Sequence, residues 1–189
     1  MPVEIPKESW TSRVLEVTLG ATAAEGGTRG RTVTLGGESA LPFLHYEGPI
    51  PHRPVVAVEV VDRRPDDWSP LLQQAWGDLL GDPAAWAARG VSLGADLVTL
   101  RLEGCQPDRG GRTPADAVAT VKAVLQAVDV PLIVLGPGQA EADNAVLEAV
   151  ANATTGERLA LGLCEDKNYR TIVAAAMANG HLVVASSPI

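Results

Sequence analysis

The sequence predicts an α/β fold: a parallel sheet wound with helices and preceded by a short antiparallel hairpin. Three observations predict it. Five short apolar runs rich in β-branched residues recur along the chain: VVAVEVV (55–61), DLVTLRL (96–102), PLIVLG (131–136), LALGLC (159–164) and HLVVASS (181–187). Near-continuous apolar runs of this kind belong to strands buried on both faces, as in parallel sheets. Helix signals fill the gaps between them, and such alternation means right-handed βαβ units. The first fifty residues differ, because VLEVTL (14–19) and TVTL (32–35) alternate apolar with polar or threonine side chains, the period of a half-buried strand.

In chain order, those two strands flank GATAAEGGTRGR, a loop rich in glycine and small residues, and so form a hairpin with a long tip. Its Arg29 and Arg31 have two readings, an anion or partner contact or a mobile tip. Pro49-Ile50-Pro51-His52-Arg53-Pro54 stiffens the chain, since proline fixes φ and removes a donor. This divides the chain into a hairpin extension with linker (1–53) and a main body (54–189). The first crossover (65–94) is long and predicts two short helices, with Trp68, Trp76 and Trp86 as packing anchors. Thr113-Pro114-Ala115-Asp116 places a cap before a proline at the first helical position, and apolar residues at 117, 118, 121, 124, 125 and 128 keep one face. Residues 140–153 open with acidic groups in the first turn. Residues 169–178 end at Asn179-Gly180, a left-handed stop.

Composition excludes several functions. A formal charge of −8 and a pI near 4.8 argue against a nucleic-acid partner, which needs a basic face. No apolar run has the 18 or so residues of a membrane span, and MPVEIPKESW lacks the layout of a secretory signal, so the expected compartment is the cytoplasm. Cys105 and Cys164 have no CxxC partner, which leaves neither a zinc knuckle nor an iron–sulfur cradle.

Two architectures fit the repeat, a doubly wound sheet and a (β/α)8 barrel. A barrel typically needs about 250 residues. Five strands are visible, and the chain stops two residues beyond the last. The expectation is therefore an incomplete (β/α)8 TIM barrel of about five parallel strands, a fragment of a longer fold with open edges that invite self-association.

In either architecture ligands meet the carboxyl ends of the strands. Those ends offer Asp62-Arg63, Glu103-Gly104-Cys105, Gly136-Pro137-Gly138, Cys164 to Tyr169, and Ser186-Ser187-Pro188. Gly136-Pro137-Gly138 is either a close backbone approach to a ligand or a tight strand-to-helix turn. A dinucleotide fingerprint requires a third glycine where Glu141 stands. Asp62, Glu103 and Glu165 suit an acid–base group or a magnesium site, and equally ordinary caps and loop residues. Asn168-Tyr169 could read an amide edge and lie on a planar ring; alternatively Asn168 caps the following helix. His45 and His52 lie in the extension and His181 opens the fifth strand at its amino end, so no histidine serves a rim nucleophile. No catalytic residue and no metal ligand is expected.

The string GATAAEGGTRGRTVTLGGESALPFLHYEGPIPHRPVVAVEVVD (20–62) resembles the small subunit of the corrinoid iron–sulfur protein, a family that includes the delta subunit of acetyl-CoA decarbonylase/synthase. The likeness continues through GADLVTLRLEG (94–104), DAVATVKAVLQAVDVPLIVLGPG (116–138), NYRTIVAAAM (168–177) and HLVVASSPI (181–189). Members of the family continue past the Ser-Pro of 187–188, so this chain looks like the first five-eighths of their barrel. The resemblance implies a non-catalytic subunit paired with a large subunit that carries a [4Fe–4S] cluster and the corrinoid (cobalamin) domain. It implies a corrinoid shared between the two and a methyl group passed from methyltetrahydrofolate, through a methyltransferase, to acetyl-CoA synthase in the Wood–Ljungdahl pathway. On position alone, Asp62, Glu103, Gly104, Gly136, Gly138, Asn168 and Tyr169 are the expected corrinoid-facing residues. Two other readings compete: a pterin-binding methyltransferase-like barrel enzyme, and a purely structural docking subunit.

Overall fold

A computed structural model describes residues 3–187. Pro188, the last of the expected rim positions, lies outside the described residues.

The hairpin pairs β1 (Val17–Leu19) with β2 (Val33–Leu35) in antiparallel register, Thr18 opposite Thr34 with their hydroxyls 2.9 Å apart. The main sheet has five strands, β3 (Ala57–Val61), β4 (Leu97–Arg101), β5 (Leu132–Leu135), β6 (Ala160–Cys164) and β7 (Leu182–Ala185). They are all parallel and lie in chain order.

Each crossover is as the local signals dictate. Between β3 and β4 run two short helices, α1 (Pro70–Trp76) and α2 (Pro83–Ser92), each with proline in its first turn. Trp86 is buried, with Trp68 edge-on at 5.3 Å and Trp76 at 6.0 Å, so the three tryptophans do anchor this crossover. Gly90 lets α2 approach the sheet, because a Cβ there would lie 2.6 Å from Val58 Cγ1. Helix α3 (Pro114–Ala127) opens on a reciprocal cap: Asp116 N donates to Thr113 Oγ1 and Thr113 N to Asp116 Oδ2, at 3.2 and 2.8 Å. Helix α4 (Ala140–Ala153) has acidic residues in its first turn, and α5 (Tyr169–Asn179) stops at Gly180 in the left-handed conformation, φ +74°.

The core sits in two layers. Val60, Val98, Leu100, Val134 and Leu161 pack with residues of α2 to α5 in one cluster. The opposite face carries Leu97, Ile133, Ala160, Leu182 and Val184, and at the amino ends of the strands the hairpin covers it through Val17, Leu19, Val33 and Leu35. All the helices that bury side chains therefore pack on one face, and successive helices neighbour one another. A doubly wound sheet would carry helices on both faces and reverse its strand order. The winding observed is α/β and compatible with a partial barrel.

The hairpin tip differs from both readings of Arg29. Arg29 is 3% exposed, and its guanidinium donates to Glu157 Oε2 (3.1 Å), Leu125 O (2.7 Å) and Val128 O (2.6 Å). Carbonyls at a helix C-terminus lack intrahelical donors and favour a cation, and α3 ends here. Gly20 N and Gly30 N add bonds to Arg158 O and Asp129 O. The tip is a plug fixed to the amino end of the sheet, while Arg31 is exposed. Among the described residues no helix is long and apolar enough to cross a membrane.

Candidate functional site

The strand ends form two hydrogen-bonded clusters, one beyond β3 and β4, the other beyond β5 and β6. Each is organised by a buried aspartate.

In the first cluster Asp62 follows β3 and is 1% exposed. Its Oδ1 accepts from Gly104 N at 2.6 Å, while Oδ2 has no hydrogen-bond partner and faces Arg112 Nη1 at 3.7 Å. Burial raises the Asp62 carboxyl above its ordinary pKa, against the opposing Gly104 bond and Arg112 charge. Gly104 is required, since a Cβ would lie 2.9 Å from Asp62 Oδ2. Glu103 is half-buried and clamped by two arginines, Arg63 Nε at 2.8 Å and Arg109 Nη1 at 3.0 Å. Cys105 is buried, and desolvation pushes its thiol up to about 11.

The second cluster centres on Asp143, in the first turn of α4 and 4% exposed. Its Oδ1 accepts from Gly138 N at 2.8 Å and its Oδ2 from Asn168 Nδ2 at 3.2 Å. Burial raises this carboxyl too. Gly136 is buried, and a Cβ there would collide with Asp143 Oδ1. Gly138 is exposed at φ +88°, with open space where a Cβ would stand. Asn168 is buried; its Oδ1 accepts from Glu165 N at 2.7 Å and its Nδ2 also donates to Leu163 O at 3.0 Å. It sits at the cap position of α5, yet its side chain makes no capping bond. Tyr169 is 42% exposed, its hydroxyl accepting from Arg170 Nε at 3.2 Å. Cys164 is buried with its thiol raised by desolvation.

The seven expected residues thus divide. Asp62, Gly104, Gly136 and Asn168 lie beneath the rim and set its shape, while Glu103, Gly138 and Tyr169 reach its surface. Asp62, Glu103 and Glu165 do not converge: no group of three His, Cys, Asp or Glu side chains able to hold a metal gathers among the described residues. His181 lies at the other end, with Nδ1 accepting from Leu159 N and Nε2 against Ala151 O. Asp143, Arg109 and Arg112 were absent from the residues expected at the rim, and Arg63 stood among the strand-end positions without a role assigned to it. The signal for Asp143 was present, a carboxylate one turn past Gly-Pro-Gly, but it reads equally as a helix-dipole residue.

The arrangement offers an open, partly aromatic surface backed by closed hydrogen bonds. Its thiols are desolvated, and a thiol held above its usual pKa is a poor nucleophile. Such a surface can bind and orient.

Residues 16–189 match the family described as CO dehydrogenase/acetyl-CoA synthase delta subunit. The chain is 43% identical over 180 residues to the acetyl-CoA decarbonylase/synthase complex subunit delta of Archaeoglobus fulgidus, covering 94% of this chain and 40% of that one. It is 38% identical to the subunit of that name from Methanopyrus kandleri, covering 93% and 44%. With the Methanocaldococcus jannaschii subunit it shares 35% identity, covering 97% and 45%. The chain spans less than half the length of these relatives. A match of this extent, running from the hairpin through all five parallel strands, places the chain in the family of the acetyl-CoA decarbonylase/synthase delta subunit.

Proposed function

We propose that the chain serves a corrinoid protein as its small subunit, presenting the carboxyl rim of a partial barrel to a corrinoid held mainly by a large subunit. The observation that carries this reading is the rim itself. Gly138 leaves open space, Tyr169 offers a planar ring, and the Asp143–Asn168 pair fixes both from beneath. A flat macrocycle is bound best by an open surface that is already held rigid. The donor set fits: Glu103, Gly138 and Tyr169 would touch the ring, and Asp62, Gly104, Gly136 and Asn168 would position them. A bound corrinoid supplies a cobalt that carries a methyl group, while the protein supplies binding, orientation and exclusion of water. In the complete assembly the large subunit bears the [4Fe–4S] cluster, methyltetrahydrofolate is the methyl source through a methyltransferase, and acetyl-CoA synthase receives the group.

A pterin-binding enzyme would use the polar edges of Asp62, Glu103 and Asn168. Asn168 is buried with both ends of its amide bonded, to Glu165, Leu163 and Asp143; Glu103 is clamped by Arg63 and Arg109; and Asp62 is buried with Oδ1 bonded to Gly104 N. That favours the corrinoid reading over the methyltransferase one.

The test is titration of the paired complex with free corrinoid, followed by absorption spectroscopy. Tyr169→Ala should weaken binding about fivefold, since one stacked aromatic contact is worth roughly 1 kcal/mol. An unchanged dissociation constant and an unchanged spectrum would remove Tyr169, and with it the proposed surface.

A further inference from the structure

We infer that the N-terminal extension carries a docking face for another subunit, at the end of the molecule opposite the candidate site. The partner it fits is a protein surface with an apolar centre bordered by lysine and arginine. This rests on the reading that the chain works within a multi-subunit complex.

Trp10, Val14 and Leu41 line a cleft of about 280 Å³. Phe43, the single phenylalanine of the chain, follows Leu41 in the single turn Pro42–Leu44 and is 72% exposed, and Tyr46 and Leu15 are exposed as well. Tryptophan, tyrosine and phenylalanine are enriched at the centres of protein interfaces, where their burial supplies most of the binding energy. A grouped apolar patch on a soluble chain marks such a surface, whereas isolated exposed side chains do not.

The patch is also held in place. Glu47 accepts from Trp10 Nε1 at 2.9 Å and from Glu8 N at 3.2 Å, tying the segment before β1 to the turn after β2. Val14 N donates to Glu38 O, Gly37 N to Val14 O and Ser39 N to Pro49 O. An aromatic side chain already oriented loses less entropy on binding.

Charge decides the partner. Glu38 and Arg13 line the cleft, Glu47 bonds Trp10 and the backbone of Glu8, and Glu16 lies beside Arg13, Val14 and Leu15, so the carboxylates placed at the patch outnumber its arginine and the border is net acidic. A second copy of the chain would bring the same acidic border and be repelled. A basic border on a different protein is attracted, and the attraction falls with salt. The patch adjoins the connector that leads into the amino end of β3, so a partner held there leaves the carboxyl rim uncovered.

The experiment is co-expression of the chain with the other subunits of the complex, followed by affinity measurement at low and high salt. Two variants are compared with the wild type: Leu41→Ser with Phe43→Ser, and Glu8→Lys with Glu38→Lys. The expected results are a loss of affinity of about tenfold or more for the first and, for the second, weaker binding with the salt dependence abolished. Both variants should keep the melting temperature of the isolated chain, because Glu8, Leu41 and Phe43 are exposed and Glu38 is only half-buried, at the wall of the cleft. Undiminished assembly of either variant overturns the inference, as does a lower melting temperature, which would mean that the chain itself covers the patch. Equal loss of a self-associated form would assign the face to a second copy and also overturn it. If the wild-type chain binds no subunit at all, the multi-subunit reading fails first.

Discussion

Asp62 and Asp143 look alike in sequence and in burial, yet their bonding makes opposite demands. Asp62 leaves Oδ2 without a partner, so its charge is buried at a cost that Arg112 at 3.7 Å does not remove. Its folded-state pKa lies above the ordinary 3.8. Between these two values the folded state holds more protons than the unfolded state, so stability falls as pH rises through that window and stays reduced at neutral pH. Asp62→Asn keeps an acceptor for Gly104 N and removes the buried charge. It should stabilise the chain by on the order of 1 kcal/mol at pH 7 and by progressively less towards pH 4. Asp143→Asn should do the reverse. Asn168 cannot turn its amide, because Glu165 N already occupies Oδ1 and Leu163 O shares Nδ2. A second amide at 143 would therefore point one NH2 at another, a loss of about 1–3 kcal/mol. Urea unfolding of both variants across this pH range is the measurement; same-sign effects at pH 7 would refute the distinction. The sequence showed where these carboxylates stand along the chain but not which one is paired, since pairing depends on loops that meet only in the folded chain.

At the scale of elements, the local chemistry of caps and turns was nearly complete in the sequence. Thr113-Pro114 at the start of α3, the acidic first turn of α4 and Gly180 after α5 each lie where the residue types require. The hairpin tip was not legible, because glycine and small residues read as mobile when considered alone. What immobilises the tip is Arg29, and its partners at 125, 128 and 157 are about a hundred residues away. The plug is open to a direct test. Arg29→Met should destabilise the chain by about 3 kcal/mol or more, because it strands Glu157 and two helix-end carbonyls in a buried site. Arg31→Met, which removes one 3.2 Å bond from an exposed guanidinium to Ala95 O, should cost less than about 1 kcal/mol. Equal losses in calorimetry would show that the tip is not anchored through Arg29.

For the whole molecule the consequence of one-sided winding is a sheet with two open edges, β3 and β7, neither of which has an outer strand partner among the described residues. Parallel strands joined by helices follow from the repeat of short apolar runs, and that much the sequence made plain; the strand order and the one-sided placement of the helices do not, because the same repeat also fits a doubly wound sheet. Which side of the sheet stays uncovered depends on where the hairpin docks, and no local pattern encodes that. Beyond the hairpin, the face opposite the helices exposes part of Ile133, Leu135 and Val184, and Val183 on the helix side of β7 is 41% exposed. Unpaired backbone donors and acceptors flanked by apolar side chains form a template for pairing with another chain. The isolated chain should therefore self-associate through these edges, with a mass by light scattering that rises with concentration. Val183→Lys sets a charge on the edge strand, and natural sheets use such charges to block pairing. It should shift the distribution towards monomer, whereas Leu41→Ser with Phe43→Ser, at the far end of the molecule, should leave the distribution as it is. If the isolated chain is monomeric at every concentration, the edges are already protected and the open-sheet description fails. If the Leu41 and Phe43 substitutions abolish self-association and Val183→Lys does not, then the contact between copies lies on the N-terminal extension.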